Sequence, residues 1–321
     1  MPHVSADLAD VPAPAVPRWL LATRRLKAYV ALTKPRIIEL LLVTTLPTMV
    51  LAAGGWPGGW LMVSTLIGGA LSAGSANTFN MYVDRDIDAI MKRTRGRPLV
   101  TGDVTPRAAL IFAWVLGVAS TAWFIWVVKS PLAALLSVIA ILAYAVGYTM
   151  ILKRRTSQNI VWGGAAGCMP VLIGWAAVTQ SLSWTPVLLF LIIFFWTPPH
   201  YWPLSMRFKK DYADAHVPML PVVASTKHVA VEMVLYAIAM MVVSLVLVPV
   251  ASMTWVYAVV ALVSGSWFVG GCVRLYRRSR AGESQLHEMR LFRDSIMYLT
   301  VVFAAILVDP FLPDALTIWP S

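Results

Sequence analysis

The sequence predicts an all-α membrane protein, a bundle of nine transmembrane helices, and three observations lead to this prediction. Apolar runs of about 20 residues recur along the chain, and a helix of that length spans the hydrocarbon core of a bilayer. Hydrophobic residues make up 59% of the 321 residues and charged residues only 13%, whereas soluble domains carry about 25% charged residues. Finally, the basic residues are concentrated in alternate loops.

The first element is a leader and interfacial segment, residues 1–27, and the remainder, 28–321, is a single membrane domain. The leader carries Asp7 and Asp10 and has the layout of neither a secretory signal nor a mitochondrial transit peptide. The basic stretch "RWLLATRRLKAYVALTKPR" is typical of an amphipathic helix on anionic headgroups. We expect membrane spans at about 37–54, 60–82, 107–127, 132–150, 158–178, 184–202, 228–250, 254–276 and 294–312.

The distribution of basic residues predicts the orientation of these spans. Of the 26 Lys and Arg residues, 25 fall before the first span or in the loops on the same side, and only Lys129 falls in a loop of the other side. Because basic loops stay in the cytoplasm, we expect a cytoplasmic N-terminus and an extracytoplasmic C-terminus. The same asymmetry accounts for the net charge of +11 without a nucleic-acid partner.

The two cysteines give no sign of a metal or redox site. Cys168 and Cys272 fall inside predicted spans, without CxxC or Cys/His spacing. Small apolar side chains of this kind usually fill gaps in a core.

An acidic motif stands where the second span ends, in "NMYVDRDIDAIMKRTRGRPL". If the helix continues, Asn80, Asp84 and Asp88 lie at i, i+4 and i+8 and form one stripe about 12 Å long, whereas Asp86 points away from it. Asn77 extends the stripe by one turn. Carboxylate and amide oxygens suit Mg²⁺ that bridges phosphate oxygens.

The alternative interpretation of this motif is a solvated helix end, whose acids pair with Arg85, Lys92 and Arg93. The stripe reaches back into the membrane, where unpaired carboxylates would cost several kcal/mol unless a cation neutralised them. The register of the acids with Asn80 therefore favours the metal site.

A second unusual loop, "TPPHYWPLSMRFKKDYADAHVPMLPVV", brings Asp211 and Lys210 to the same side of the membrane. Pro198 and Pro199 should break or kink the sixth span and let His200 and the following aromatic residues turn into the bundle. Two alternatives stay open: Tyr201 and Trp202 as interfacial belt aromatics, and Lys209 and Lys210 as topology charges.

These residues carry a family resemblance. The motif Asn80-x3-Asp84-x3-Asp88 resembles the first aspartate-rich motif of the UbiA-type intramembrane prenyltransferases. Further segments, among them "LKRRTSQNIVWGGAAGCMPVLIGWAAVT", "FFWTPPHYWPLSM" and "DYADAHVPMLPVV", are similar to the branch of that family that farnesylates haem. The resemblance extends over residues 28 to 312, with the motifs in order.

The resemblance implies a UbiA-type fold and an enzyme that converts farnesyl diphosphate, haem B and water into haem O and diphosphate. It implies a bacterial plasma membrane, Mg²⁺ as cofactor, and a haem A synthase or terminal-oxidase assembly factors as partners. Asp84, Asp88 and Asp211 would hold the metal, with Asn80 assisting. The candidates for binding the diphosphate and the rest of the substrates are Lys34, Arg36, Asn77, Arg93, Arg97, Lys153, Arg154, Lys210, His200 and Tyr201.

The cation formed from the prenyl group needs an electron-rich pocket, for which the candidates are Phe194, Phe195, Trp196 and Tyr201. His200 would ligate haem iron or relay a proton, unless it is a helix-end histidine satisfied by the backbone. Two other functions remain alternatives: prenylation of a quinone precursor or of chlorophyllide, and membrane transport through intramembrane carboxylates. A transporter should place its charges near the midplane, whereas these acids cluster at one membrane face.

Overall fold

The computed structural model describes the backbone of residues 18–318, and the side chains of 18–21, 36–42 and 314 lie outside the described set. This region is helical, apart from loops and a bridge between Thr254 and Thr317. Its α-helices are α1 Arg18–Thr33, α2 Pro35–Ala53, α3 Gly59–Val83, α4 Arg85–Ile90, α5 Pro98–Thr101, α6 Pro106–Trp126, α7 Pro131–Leu142, α8 Asn159–Thr179, α9 Trp184–Arg207, α10 Lys209–Asp214, α11 Leu220–Val223, α12 Thr226–Val250, α13 Trp255–Ala281 and α14 Glu288–Val308.

The nine predicted spans correspond to nine helices within the described part of the chain. Eight of them are long and apolar enough to cross a membrane. The ninth, α2, has 19 residues, of which Val43–Ala53 form the described apolar portion. The fourth span differs from an ordinary helix, because α7 passes directly into a π-helix, Ala143–Leu152. The prediction of an all-α membrane bundle is confirmed.

Of the break or kink that the sequence suggested at Pro198 and Pro199, the break is absent: α9 continues through both prolines to Arg207. Proline is tolerated in membrane helices because packed neighbours and hydroxyl side chains satisfy the carbonyls that it frees. Pro198 and Pro199 leave the carbonyls of Phe194 and Phe195 without their i+4 donors, whereas the neighbouring Thr197 Oγ1 donates to the Ile193 carbonyl at 2.9 Å. His200 therefore reaches the bundle interior from an unbroken helix.

Small residues bring the central helix α8 close to its neighbours. A Cβ atom on Gly174 would lie 2.9 Å from Thr45 on α2, and one on Gly164 would lie 2.8 Å from Thr197 on α9. Membrane helices associate through such close packing, since lipid gives no hydrophobic drive between them. The helices that flank the site thus hold a fixed spacing.

The second half of the bundle packs α9, α12, α13 and α14 around one large core. A buried polar network links α12, α13 and α14, because Tyr298 and Ser244 share a hydrogen bond of 2.8 Å and Tyr257 donates to the Ser244 carbonyl at 3.0 Å. Both cysteines are buried and free, in agreement with their predicted role as core residues.

The helix α1 packs across α3 and brings the chain over one end of the bundle. Leu32 on α1 is buried in a cluster with Met81 and Ala109, and Arg24 pairs with Asp103 at 2.7 Å. This packing places Lys34, the residue between α1 and α2, beside the end of α3.

Candidate active site

The acidic stripe forms as the sequence suggested, across the junction of α3 and α4. The N–H of Asp84 donates to the Asn80 carbonyl, and the N–H of Asp88 donates to the Asp84 carbonyl, both at 2.9 Å. The i→i+4 ladder therefore continues from α3 into α4. The side chains of Asn80, Asp84 and Asp88 are all buried, and that of Asp84 is 0% exposed.

Asp84 is surrounded by polar partners from α3 and from the segment that follows the π-helix. Its Oδ2 accepts from Asn80 Nδ2 at 2.7 Å and pairs with Lys153 Nζ at 2.5 Å. Its Oδ1 is buried without a hydrogen-bond partner, and Arg154 Nη2 lies 3.7 Å from it. An unpartnered carboxylate oxygen in a buried site is costly, so Asp84 retains the capacity to bind one more donor or a cation.

Asp88 is held by the loop that follows α4. Its Oδ2 pairs with Arg97 Nη1 at 2.5 Å, and its carbonyl accepts from Thr94 Oγ1 at 3.0 Å. The N–H of Arg97 donates to the Thr94 carbonyl at 3.0 Å. The short turn from Thr94 to Arg97 thus directs the guanidinium back onto the acidic stripe.

Lys34 reaches the same stripe from the junction of α1 and α2. Its backbone is left-handed, with φ 53°, and its Nζ donates to Asn80 Oδ1 at 2.6 Å. Asn77 holds the backbone next to Lys34 in place, because its Nδ2 donates to the Thr33 carbonyl at 2.9 Å. Desolvation, together with the positive charges of Arg97 and Lys153, lowers the pKa of Lys34 well below its ordinary value.

Lys34, Asn80 and Asp88 line a cavity of about 390 Å³, and the buried Asp84 is not among its lining residues. The polar wall consists of Lys34, Asn80, Asp88, Arg93, Arg97 and Lys153. The aromatic wall of the same cavity consists of Tyr144, Tyr148, Trp196, His200, Tyr201 and Tyr212. A second cavity of about 130 Å³ lies deeper in the bundle. Tyr144 and Gly167 line both, so the two cavities adjoin.

His200 is oriented on the aromatic wall by its neighbours. Its ring stacks on Trp196 at a centroid distance of 4.0 Å and on Phe292 at 4.7 Å. Its Nδ1 lies 2.7 Å from Ser295 Oγ, and that hydroxyl donates its proton to the Phe292 carbonyl at 2.6 Å. With its proton on the Phe292 carbonyl, the Ser295 hydroxyl can accept from Nδ1–H, and in that tautomer the lone pair is on Nε2.

Tyr201 and Tyr212 join α9 to α10 at the cavity mouth. Their hydroxyl oxygens are 3.0 Å apart, and Arg93 forms a hydrogen bond with Tyr212. Burial raises the pKa of Tyr212 above its ordinary value, so the phenol stays protonated and can donate. Tyr201 thus lines the cavity from α9.

The remaining sequence candidates lie outside the cavity or outside the described side chains. Asp211 and Lys210 are on α10 and are not among the residues that line the cavity. Arg154 forms two hydrogen bonds with Asp86, of 2.6 and 2.7 Å, and these lower the pKa of Asp86 to about 2. The side chain of Arg36 lies outside the described set.

Of the proposed aromatic cluster, only part faces the cavity. Trp196 and Tyr201 line it, whereas Phe194 packs against Trp162 and Phe195 packs against Tyr236.

The sequence reasoning missed Tyr144 and Tyr148, as well as Tyr212 and Ser295. The four-residue spacing of the first two, near the basic end of the fourth span, was a signal that could have found them.

The donor set suits a divalent cation that is also bound by a substrate. Among the described residues, no group of three or more His, Cys, Asp or Glu side chains is clustered as a complete metal site. Mg²⁺, however, usually takes one or two carboxylates and completes its shell with water and substrate phosphates. Asp88, which lines the cavity, and its buried neighbour on the stripe, Asp84, whose Oδ1 has no hydrogen bond, fit that requirement.

The chain is similar in sequence to one family of membrane enzymes. Residues 41–293 match the model of the UbiA prenyltransferase family. The chain is 60% identical over 290 residues to the protoheme IX farnesyltransferase of Clavibacter michiganensis subsp. michiganensis, covering 90% of this chain and 94% of that protein. It is 57% identical over 295 residues to the enzyme of the same name from Paenarthrobacter aurescens, with 92% of each chain covered.

Two solved structures share the fold at low sequence identity. One, from a study of digeranylgeranylglyceryl phosphate synthase, has a TM-score of 0.74 at 14% identity, covering 89% of this chain and 98% of that one. The other is a UbiA homologue from Archaeoglobus fulgidus bound to DMAPP and Mg²⁺. It has a TM-score of 0.62 at 17% identity, covering 87% of this chain and 99% of that one.

Proposed function

Since this chain belongs to the UbiA prenyltransferase family, we propose that it transfers the farnesyl group of farnesyl diphosphate to a vinyl group of haem B, with addition of water, and so forms haem O. The observation that carries the proposal is the two-walled cavity. One wall has the charges that a diphosphate requires, and the other has a histidine and aromatic rings suited to a flat, iron-containing macrocycle. The relatives named for this reaction support the choice of substrates.

The diphosphate lies at the polar wall. Lys34, Arg97 and Lys153 converge there on Asn80, Asp88 and Asp84. When the C1–O bond of the farnesyl group breaks, negative charge builds up on the departing diphosphate, and fixed cations stabilise it. Arg93, anchored by Tyr212, is the fourth cation that faces the cavity.

Asp84 and Asp88 would hold Mg²⁺, and Asp211 is proposed as a third ligand from α10. When bound, the ion neutralises the charge on the phosphate oxygens and assists departure of the diphosphate. The basic residues now paired with the two acids would then turn to the phosphate oxygens. Lys153 and Arg97 thus serve as counter-ions of the acids before binding and of the diphosphate after it.

The rings of the aromatic wall face the allylic carbon. Tyr144, Tyr148, Trp196 and Tyr201 present electron-rich surfaces to the cavity, and such rings stabilise a cation held over their faces. The adjoining deeper cavity, lined by Gly69, Ala73, Ala140 and other mainly apolar residues, takes the farnesyl chain.

The haem lies against the aromatic wall. The vinyl carbon forms a bond to C1 of the farnesyl group, and the positive charge passes to the carbon next to the porphyrin ring. Water adds to that carbon and loses a proton, which leaves a hydroxyl group. His200 presents its Nε2 lone pair from this wall and either ligates the iron or accepts that proton.

The charge distribution supports the orientation proposed from the sequence. Lys34, Arg97 and Lys153 meet at one end of the bundle, which we assign to the cytoplasmic side of a bacterial plasma membrane. The C-terminus then lies outside. A haem A synthase and terminal-oxidase assembly factors are the proposed partners.

The proposal is tested by extracting haems from cells that lack an endogenous haem prenyltransferase and express this chain. Mass spectrometry should detect haem B increased by one farnesyl group and one hydroxyl group, and cells that express the Asp84→Asn variant should lack this product. A prenylated quinone precursor, with haem B unchanged, would assign the chain to a different acceptor.

A further inference from the structure

The end of the fourth span is a ten-residue π-helix, Ala143–Leu152. Its i→i+5 hydrogen bonding extends to the backbone N–H of Lys153, which donates to the Tyr148 carbonyl at 2.8 Å. π-Helical segments are rare, are mostly single-turn insertions and are frequent at functional sites. A segment of this length therefore needs a local cause.

The π-helix determines which residues face the cavity. Lys153 follows Tyr144 by nine residues, which is about two and a half turns of an α-helix, so the two side chains would point in opposite directions there. In the structure both line the same cavity, as does Tyr148 between them. The wider turn thus brings the ammonium group of Lys153 to Asp84.

Thr149 makes the contact that is specific to this register. A threonine hydroxyl in an α-helix bonds to the carbonyl three or four residues earlier, as Thr300 does to Ile296. The Thr149 hydroxyl instead donates to the Tyr144 carbonyl, five residues earlier, at 2.8 Å. It also accepts from Asn80 Nδ2 at 3.1 Å, and its side chain is fully buried.

We propose that Thr149 is a positioning residue, which holds the π-helical register and thereby directs Lys153 at Asp84 and at the substrate diphosphate. The part that concerns Lys153 and Asp84 rests on geometry alone, and the part that concerns the diphosphate rests on the proposed function. Thr149 touches no reacting atom and acts through Asn80 and the backbone of Tyr144.

The test uses the full-length protein in lipid nanodiscs. Thr149→Val keeps the branched shape and removes the hydroxyl, Thr149→Ser keeps the hydroxyl, and Thr300→Val removes a hydroxyl that makes an ordinary i−4 bond at an exposed position. Acetylation of the Lys153 amine by an N-hydroxysuccinimide ester is followed by peptide mass spectrometry. Lys153 is 13% exposed and ion-paired, so the wild-type rate should be low.

In Thr149→Val we expect Lys153 to be acetylated about three- to tenfold faster, the equilibrium change that corresponds to one lost hydrogen bond. Thr149→Ser and Thr300→Val should match the wild type. The KM for farnesyl diphosphate should rise by a similar factor while the KM for haem stays constant. Serine rescue and this KM split would not follow from a general loss of stability.

Unchanged acetylation of Lys153 in Thr149→Val would overturn the proposal, as would a Thr149→Ser variant that behaves like Thr149→Val. An equal rise in both KM values would overturn it too. If the wild type does not prenylate haem, yet Lys153 becomes reactive in Thr149→Val and not in Thr149→Ser, the positioning role holds and the proposed function fails.

Discussion

At the scale of single residues, Asp84 and Asp86 show how two neighbouring carboxylates acquire different environments. Asp84 is buried and bonded to Asn80 and Lys153, whereas Asp86 is 60% exposed and bonded to Arg154. The sequence predicted this difference from helical spacing alone. Their proposed functions can therefore be compared by identical substitutions.

Asp84→Asn should lower turnover by about a hundredfold or more, because it removes a ligand on which charge stabilisation depends. Asp86→Asn should lower turnover only slightly, because its ion pair with Arg154 lies largely at the surface. Rates are measured with purified protein at saturating Mg²⁺, after checking that each variant is monodisperse. An essential Asp86 together with a dispensable Asp84 would show that the stripe has been assigned to the wrong residues.

For Asp211, the expected role as a metal ligand and the observed position in the structure differ. The family resemblance implies that it ligates Mg²⁺, and the structure places it on α10, outside the residues that line the cavity. If α10 moves toward bound substrate, Asp211→Asn should raise the Mg²⁺ concentration required for half-maximal turnover. A Mg²⁺ titration identical to that of the wild type would remove Asp211 from the metal site.

At the scale of elements, close helix packing shapes the aromatic wall. Gly163 on α8 faces Tyr148, whose ring occupies the position that a Cβ atom on Gly163 would take. The contact explains why a residue without a side chain stands there, in a helix where glycine would otherwise be unfavourable.

Gly163→Ala should therefore displace the Tyr148 ring and lower turnover. The loss of turnover should be larger than any decrease in the thermal unfolding temperature would explain. The matched control is Gly270→Ala on α13, where the added methyl group would meet only the tip of Arg274 at 3.4 Å. Turnover and thermal unfolding are measured for both variants. Equal turnover in the two would show that the position of the Tyr148 ring is unimportant.

The elements also show where sequence reasoning reaches its limit. Helical periodicity predicted Asn80, Asp84 and Asp88 as one stripe, because all three belong to one continuous ladder. It could not predict that Lys153 joins Tyr144, because no α-helical spacing brings them to one face and the π-helix depends on contacts with α3. Ser295 was missed for a similar reason, since only the packing of α14 on α9 brings it to His200.

At the scale of the whole molecule, the number of spans and the grouping of basic loops could be read from the sequence, since both follow from the bilayer as solvent. The structure joins the basic loops at one end, through Arg24 with Asp103 and Lys153 with Asp84. The shape of the cavity could not be predicted, because it depends on which helices pack together.

The orientation of the molecule is a separate prediction. Reporter domains fused after Asp103 and after Ser321 should report opposite sides of the membrane, with Asp103 in the cytoplasm. The reason is the retention of basic loops on the cytoplasmic side. If both fusions reported the same side, the number of membrane crossings between the two positions would be even rather than odd.

The central claim is that one cavity holds the diphosphate at its polar wall and haem at its aromatic wall. The most direct measurement is separate titration of each substrate into Asp88→Asn and His200→Ala proteins in nanodiscs, with Mg²⁺ present. We expect Asp88→Asn to weaken farnesyl diphosphate binding about tenfold or more and leave haem binding unchanged, and His200→Ala to do the reverse. Equal losses for both substrates in both variants would contradict the claim and would assign these residues to the stability of the fold.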